Sequence, residues 1–545
     1  MSILAFASAL FVLQPADLVI ENARIWSDGL PTFAEFAAVK DGRFVYVGDH
    51  RPDYVGSNTE RVNAQGRVVL PGLIDSHTHM LSGGLNLARV NLRDAKDKAE
   101  FVQRVADYAK TLKPGQWVLG GRYSVESWAK PENPTKEWVD PVTGERPLWL
   151  SRMDGHSGLA NSAALKIAGV TKDTKNPAGG VIDKDPETGE PTGILRETAM
   201  GLVTRHIPDV SREEMLGALK KAMAEANRNG ITAVSDIPGA SLTEARAFEE
   251  LARDAVLTVR WSLYPRFADI ARSADAIKAF KGMPGWMEIR GFKAVMDGSL
   301  GSRTALMREP FADNEPRNKD WRGLPLPNML DGPFEANCRA AAPIGMQAIC
   351  HAIGDDANHQ LLNILERAYG PRLASARCRS EHAQHLLSSD IPRFGRLGVI
   401  ASMQPLHKAD DARYCEARIG VERSRSSYAY KSLLDTGAVV AFGSDWPVVS
   451  INPFLGIEAA VTGMTLDGRF WMTQENITVA EALRCYTSRA AYAMFWENEI
   501  GKIAPGYRAD FLVLNESPFD PNPKWDRIRP VEVWVEGKMV ATTKT

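Results

Sequence analysis

At 545 residues the chain is too long for one hydrophobic core, which stops growing near roughly 250 to 300 residues, so a large domain with a smaller companion is expected. Hydrophobic residues make up 44% and charged residues 24%, and 65 Lys+Arg against 67 Asp+Glu leave a formal charge of -2. That balance removes any electrostatic reason to expect nucleic acid or an anionic membrane as a partner.

In chain order, residues 1–15 form an apolar leader, and its run Ile3 to Leu13 is too short to span a bilayer. Two readings stay open. The protein is cytoplasmic and simply begins this way, or it is exported to the periplasm on a short signal, which Ala7-Ser8-Ala9 favours and the lack of Lys or Arg before the run disfavours. Short strand-like runs follow at Asp17 to Ile25, Phe36 to Val39 and Arg43 to Val47, with a turn at Asp41-Gly42. Similar runs return only near the end, at Asp510 to Leu514 and Val531 to Val540 around Glu536-Gly537. The two ends therefore predict one composite β domain, 16–71 with 500–545.

The middle, 72–499, alternates apolar strand-length runs with amphipathic stretches such as Ser211 to Asn229 and Leu242 to Arg253. Eight runs read as parallel strands: Leu73 to His77, Ile231 to Asp236, Val259 to Tyr264, Gly291 to Asp297, Met346 to His351, Cys378 to His382, Val399 to Gln404 and Val439 to Asp445. Eight such units predict an α/β fold closed as a (β/α)8 TIM-like barrel. A long insertion after the first strand, about 81–210 and rich in Trp, Gly and Pro, predicts an inserted subdomain. The five cysteines, Cys338, Cys350, Cys378, Cys415 and Cys485, are widely spaced without a Cys-x-x-Cys pair. Reduced, buried thiols are expected from them, not a disulfide framework or a thiolate zinc site.

Several of the ten histidines fall where a strand ends: His77 and His79, His351, and His382. Carboxyl ends of barrel strands are where such enzymes place their chemistry, and residues two apart in an extended segment present two imidazoles to one ion. Asp445 ends the last strand, where a carboxylate can bind a metal and take a proton from the attacking water. Lys293 lies inside an apolar run; desolvation there lowers a lysine pKa, and the neutral amine can capture carbon dioxide as a carbamate. Each residue taken singly also has a plain structural reading: a strand-end His as a satisfied hydrogen-bonding group, Lys293 as a partner of Asp236 or Asp297, Asp445 as a turn cap. Their joint occurrence at the ends of different strands favours the metal site.

The motifs resemble the amidohydrolase superfamily, and within it the YtcJ-like branch. They are Pro71 to His79, Asp154-Gly155-His156-Ser157, Lys293 with Asp297 to Ala305, His351 to Asp355, Glu381 to Gln384, Gln404-Pro405, Gly443 to Pro447 and Gly501 to Asp510. The resemblance implies a barrel carried on a β-sandwich built from both termini, with one or two divalent ions, usually zinc, in the barrel mouth. It implies that His77, His79 and Asp445 bind a first ion, that Lys293 bridges as N6-carboxylysine, and that His351 and His382 bind a second. Gly120-Gly121-Arg122-Tyr123 departs from it, with Arg-Tyr where relatives commonly carry Trp.

The expected reaction is hydrolysis of a non-peptide carbon–nitrogen bond in a small amide, N-acyl or N-formyl compound, with Asp445 passing the water proton to the leaving nitrogen. Arg303 and Arg122 are candidates for an anionic substrate group, and surface ion pairing is the plain alternative for each. His382 or His156 is a candidate for helping the metal stabilise the oxyanion, and Trp446, with Trp128 and Tyr264, for walling the pocket, plain packing being the alternative for these aromatics. A homodimer is compatible with this reading. The rivals are a deaminase or a cyclic amide or ester hydrolase on the same site, and an inactive ligand-binding barrel. A serine hydrolase is disfavoured, since no Gly-x-Ser-x-Gly stands in a strand–turn–helix context.

Overall fold

The computed structural model describes residues 14–543 apart from 31, 126–127, 131, 153–156, 178–179, 239–242, 255, 268, 281, 315, 317–318 and 325–331. The apolar leader run Ile3 to Leu13 therefore lies outside the described residues. The chain divides into two compact units, one made of 1–80 with 223–545 and the other of 81–222.

In the first unit, the chain ends build two sheets. One has Arg43–Gly48, Phe36–Lys40, Leu18–Glu21 and Glu60–Asn63 in that order. Asp41 and Gly42, both at positive φ, make the tight turn between its first two strands. The other runs Arg24–Ile25, Val68–Pro71, Phe511–Leu514, Pro530–Val535 and Lys538–Thr542, so C-terminal strands pair with an N-terminal one. Ile20, Phe44, Val69, Phe511 and Trp534 from the two sheets share one buried cluster, which is why the separated ends of the chain must meet.

The rest of this unit alternates strands and helices. Parallel strands Leu73–Thr78, Ile231–Asp236, Arg260–Leu263 and Met287–Ile289 form a four-stranded sheet. Gly291–Val295, Gln347–Ala352, Arg379–His382, Ile400–Met403 and Val440–Phe442 form a five-stranded one, also parallel and in sequence order. Met287–Ile289 is an addition to the eight expected strands: it is only three residues long, and Arg290 alone separates it from the next strand. A parallel bridge between Thr78 and Trp446 links the first strand to the segment after the last.

Helix Asp355–Tyr369 illustrates the local logic. Asp355 and Asp356 complement the positive end of its dipole, Leu361, Leu362, Leu365 and Tyr369 bury one face, and Gly370 at φ +53 ends it. Side chains of the two parallel sheets also meet in the interior. The buried Arg379 guanidinium donates to Ser235 Oγ at 3.1 Å and Ser402 Oγ at 3.2 Å, and Tyr264 donates to Gln347 Oε1 at 2.8 Å. An arginine tolerates such burial because each donor finds an acceptor.

The second unit carries a six-stranded sheet between Val90 and Glu197 that composition alone did not reveal. Its core includes Phe101 and stacked Trp128 and Trp138. All five cysteines are free and buried, and among the described residues no helix is long and apolar enough to cross a membrane.

Candidate metal centre

The Leu73–Thr78 strand delivers His77, and His79 stands just past its end. Asp75 welds this segment to the last strand. Its Oδ1 accepts from the His77 and Ser444 amides, each at 3.0 Å, and its Oδ2 accepts from Ser444 Oγ at 2.5 Å. The pairing continues outward, with the Asp445 amide donating to the His77 carbonyl at 2.7 Å and the His79 amide to the Trp446 carbonyl at 2.8 Å. Gly443 is required at this crossing, because a Cβ there would lie 2.5 Å from the His77 nitrogen. Asp445 takes φ +57, a left-handed conformation that aspartate tolerates better than most residues.

The consequence is convergence. Asp445 Oδ1 lies 3.1 Å from His79 Nε2 and 3.4 Å from His77 Nε2, and Lys293 Nζ lies 3.4 Å from that same His77 nitrogen. One ligand atom each from His77, His79 and Asp445 falls within 4.8 Å of the others, and the same holds for His382, His407 and Asp445. His382 sits between its neighbours, its ring centroid 4.8 Å from that of His77 and 4.5 Å from that of His351. Its φ of +75 breaks the strand alternation, so Glu381 and His382 both serve the centre.

Ring-nitrogen partners decide what each histidine can do. His77 Nδ1 is bonded to Glu381 Oε2, His79 Nδ1 lies 3.1 Å from the Ile237 carbonyl, His382 Nδ1 lies 2.8 Å from Gln404 Oε1, and His351 Nε2 lies 3.0 Å from the Gly298 carbonyl. Each of these partners is an acceptor; on His77 this leaves the Nε2 lone pair facing Lys293 and Asp445, whereas His79 meets an acceptor at both nitrogens, the Ile237 carbonyl and the Asp445 carboxylate. Burial, then the Lys293 charge, push His77 down to about 4, and burial pushes His351 down to about 3, so both are neutral imidazoles at physiological pH. Burial also opposes a charge on His79, but the Asp445 hydrogen bond outweighs it and raises that pKa. Burial likewise opposes ionisation of Asp445, yet the surrounding histidines hold its carboxyl well below the usual range. Burial lowers Lys293 to about 8.

Glu381 lies within one of the motifs, and its own role does not show in the motif itself. It is fully buried, gripped by Arg379 on one oxygen and by His77 on the other. The signal was its spacing, two residues after a buried arginine on one strand face. His407 also escaped notice: it lies three residues past Gln404, in the first turn of helix Pro405–Asp411, with no strand-end position to mark it.

The proposed substrate contacts fare differently. The Arg303 fork is held by Asp313, with Nε to Oδ1 at 3.0 Å and Nη2 to Oδ2 at 2.8 Å, which is the structural ion pair. Trp446 is buried, and its carbonyl receives His79 and Thr78. Tyr264 is wholly interior. Arg122 is half-buried in strand Val118–Tyr123 of the second unit, as Trp128 is buried in that unit's core, and His156 lies outside the described residues.

The chain belongs to the amidohydrolase family, whose model matches residues 60–541. It is 38% identical to the Arabidopsis thaliana protein LONG AFTER FAR-RED 3 over 96% of this chain and 91% of that one. It is 31% identical to the amidohydrolase YtcJ of Bacillus subtilis over 90% and 92%, which agrees with the branch its motifs resemble. An N-substituted formamide deformylase of Arthrobacter pascens is 26% identical over 93% and 95%. Among solved structures, a metal-dependent hydrolase of Pyrococcus furiosus superposes with a TM-score of 0.75 at 25% identity, covering 92% of this chain and 100% of that one.

Proposed function

We propose that the chain is a zinc-dependent hydrolase that cleaves a non-peptide carbon–nitrogen bond of a small amide, N-acyl or N-formyl compound. The observation that carries this is the set of four histidines, His77, His79, His351 and His382, whose other ring nitrogens are each tied to an acceptor. Imidazoles anchored through one nitrogen beside an ionised carboxylate are a donor set suited to zinc, which would displace the hydrogen that His79 shares with Asp445. His77, His79 and Asp445 hold the first ion; Lys293, as a carbamate, together with His351 and His382 extends the set to a second. When bound, such an ion supplies Lewis acidity and activates water at neutral pH.

The chain's own residues do the rest. Glu381 orients His77 and keeps its Nε2 lone pair inward. Asp445, held ionised, accepts the proton of the attacking water and returns it to the leaving nitrogen. In architecture, the parallel bridge from Thr78 to Trp446 and the interior contacts of Arg379 support closure of the parallel strands as a (β/α)8 barrel. The shared core of the terminal sheets supports a β-sandwich built from 16–71 and 500–545. The N-substituted formamide deformylase among the relatives supports a formyl or acyl group as the part removed.

The test is a panel of N-formyl and N-acyl amines assayed after chelation and again after zinc is restored. Release of free amine that disappears and returns with zinc supports the proposal. Ammonia from aminated heterocycles with no amide cleavage makes it a deaminase, and no turnover under any condition leaves a ligand-binding barrel.

A further inference from the structure

A fifth histidine reaches the centre, and its hydrogen-bond partner has the opposite sense. His407 is 8% exposed, its ring lies parallel to that of His382 at 6.2 Å and 6°, and its Nε2 stands 3.9 Å from Asp445 Oδ2. Nδ1 lies 3.3 Å from the side-chain amide nitrogen of Gln384, and an amide nitrogen only donates. Nδ1 therefore accepts, and the single hydrogen of the neutral ring sits on Nε2. That Nε2 is buried, faces Asp445, and has no hydrogen-bond partner among the described residues. Where His77 offers a lone pair, His407 offers an unused donor.

The ring is held firmly in place. Pro405 opens its helix, and the next residue, Lys408, is anchored 3.2 Å from the Met472 carbonyl. Asp411 at the end of the helix receives the Tyr414 and Tyr428 hydroxyls. A rigid, desolvated N–H without an acceptor is costly unless something arrives to accept it. A fixed donor beside the carboxylate that handles the proton is also what stabilisation of a developing oxyanion requires.

We infer that His407 is a catalytic residue of this hydrolase: its Nε2–H donates to the substrate carbonyl oxygen and strengthens that bond as the oxygen gains negative charge on water attack. The inference rests on the proposed hydrolase function, with Asp445 moving the proton and His407 steadying the oxyanion.

The test uses the full chain loaded with Co2+ and methylphosphonate as a tetrahedral oxyanion probe, its binding followed by the visible Co2+ spectrum. His407→Phe keeps a stacked ring but removes the N–H. It is expected to hold Co2+ in the wild-type number and to bind methylphosphonate about a hundredfold more weakly. His407→Gln, whose amide retains an N–H, is expected to recover part of that loss. Equal probe affinity in wild type and His407→Phe, including none in either, overturns the inference, as does loss of a Co2+ equivalent in the variants, which would make His407 a ligand. A wild-type chain that takes up no Co2+ instead overturns the underlying hydrolase reading.

Discussion

Arg379 and Glu381, two residues apart on one strand, are joined by a hydrogen bond from Arg379 Nε to Glu381 Oε1 at 2.6 Å, with both side chains fully buried. The other Glu381 oxygen receives His77, so one carboxylate neutralises a buried guanidinium and orients a proposed metal ligand. Burial opposes its ionisation, but Arg379 and His77 hold its pKa far below the ordinary range. Glu381→Gln keeps the volume and leaves Arg379 uncompensated. Urea denaturation of the cation-free variant should show a loss of about 3–5 kcal/mol, and a zinc titration should show affinity lower by about 10–100-fold. Wild-type values in both would refute the role.

Gly443 sits where the first and last parallel strands cross, with room for no side chain: an added Cβ would meet the His77 nitrogen at 2.5 Å and Asp75 Oδ1 at 2.6 Å. Backbone cannot move aside as a side chain can. Gly443→Ala should therefore destabilise by about 1–3 kcal/mol and displace His77 from Asp445. Thermal melting measures the first effect and zinc uptake the second; a variant with wild-type melting would show that the crossing has slack.

A buried bidentate pair ties a terminal sheet to the parallel strands. Arg260 Nε meets Asp510 Oδ2 at 2.7 Å and Nη2 meets Oδ1 at 2.9 Å, with side chains 0% and 2% exposed. Removing one partner strands a buried charge, so Arg260→Met should cost about 3–5 kcal/mol, whereas Arg260→Met with Asp510→Leu should recover much of it. Denaturation midpoints of the single and double variants decide. A double variant as weak as the single would mean that packing, not charge, is at stake.

The proposed metal ligands were legible because their evidence is local. A His-x-His at a strand end and an Asp after Gly-Ser each need only a few residues to be read. What escaped depended on geometry that sequence does not carry. Glu381 faces the centre together with its neighbour His382 only because His382 turns left-handed at φ +75. His407 enters from a helix whose direction is set by distant anchors at Met472, Tyr414 and Tyr428. Arg303 looked available because its partner Asp313 stands ten residues on, in a loop with no periodic signal. The sheet of the second unit was hidden by short strands with glycines at positions such as Gly120, Gly121 and Gly193, where a Cβ would strike neighbouring backbone.

Acid should unfold the cation-free chain by way of buried histidines. Burial, and after it the Arg423 charge, lower His385 to about 3 from the ordinary 6.5, and its Nδ1 is paired with Ser427 Oγ at 2.7 Å. A depressed pKa contributes stability that is complete above pH 6.5 and is lost as pH falls toward 3, because the unfolded chain takes the proton first. The slope is about 1.4 kcal/mol per pH unit for this one group. His77 and His351 act in the same direction, so the difference between wild type and His385→Gln isolates it. Urea denaturation at a series of pH values below 6.5 should give a flatter acid limb for the variant; parallel limbs would contradict the assignment.

The central claim, that His77, His79 and Asp445 hold a divalent ion, is tested most directly by measuring zinc per chain in protein purified without added metal and again after zinc is restored, for wild type and for His79→Ala. The account predicts at least one equivalent in the wild type and its loss in the variant. A wild-type chain that holds none after reconstitution, or a variant that holds as much as the wild type, would contradict it.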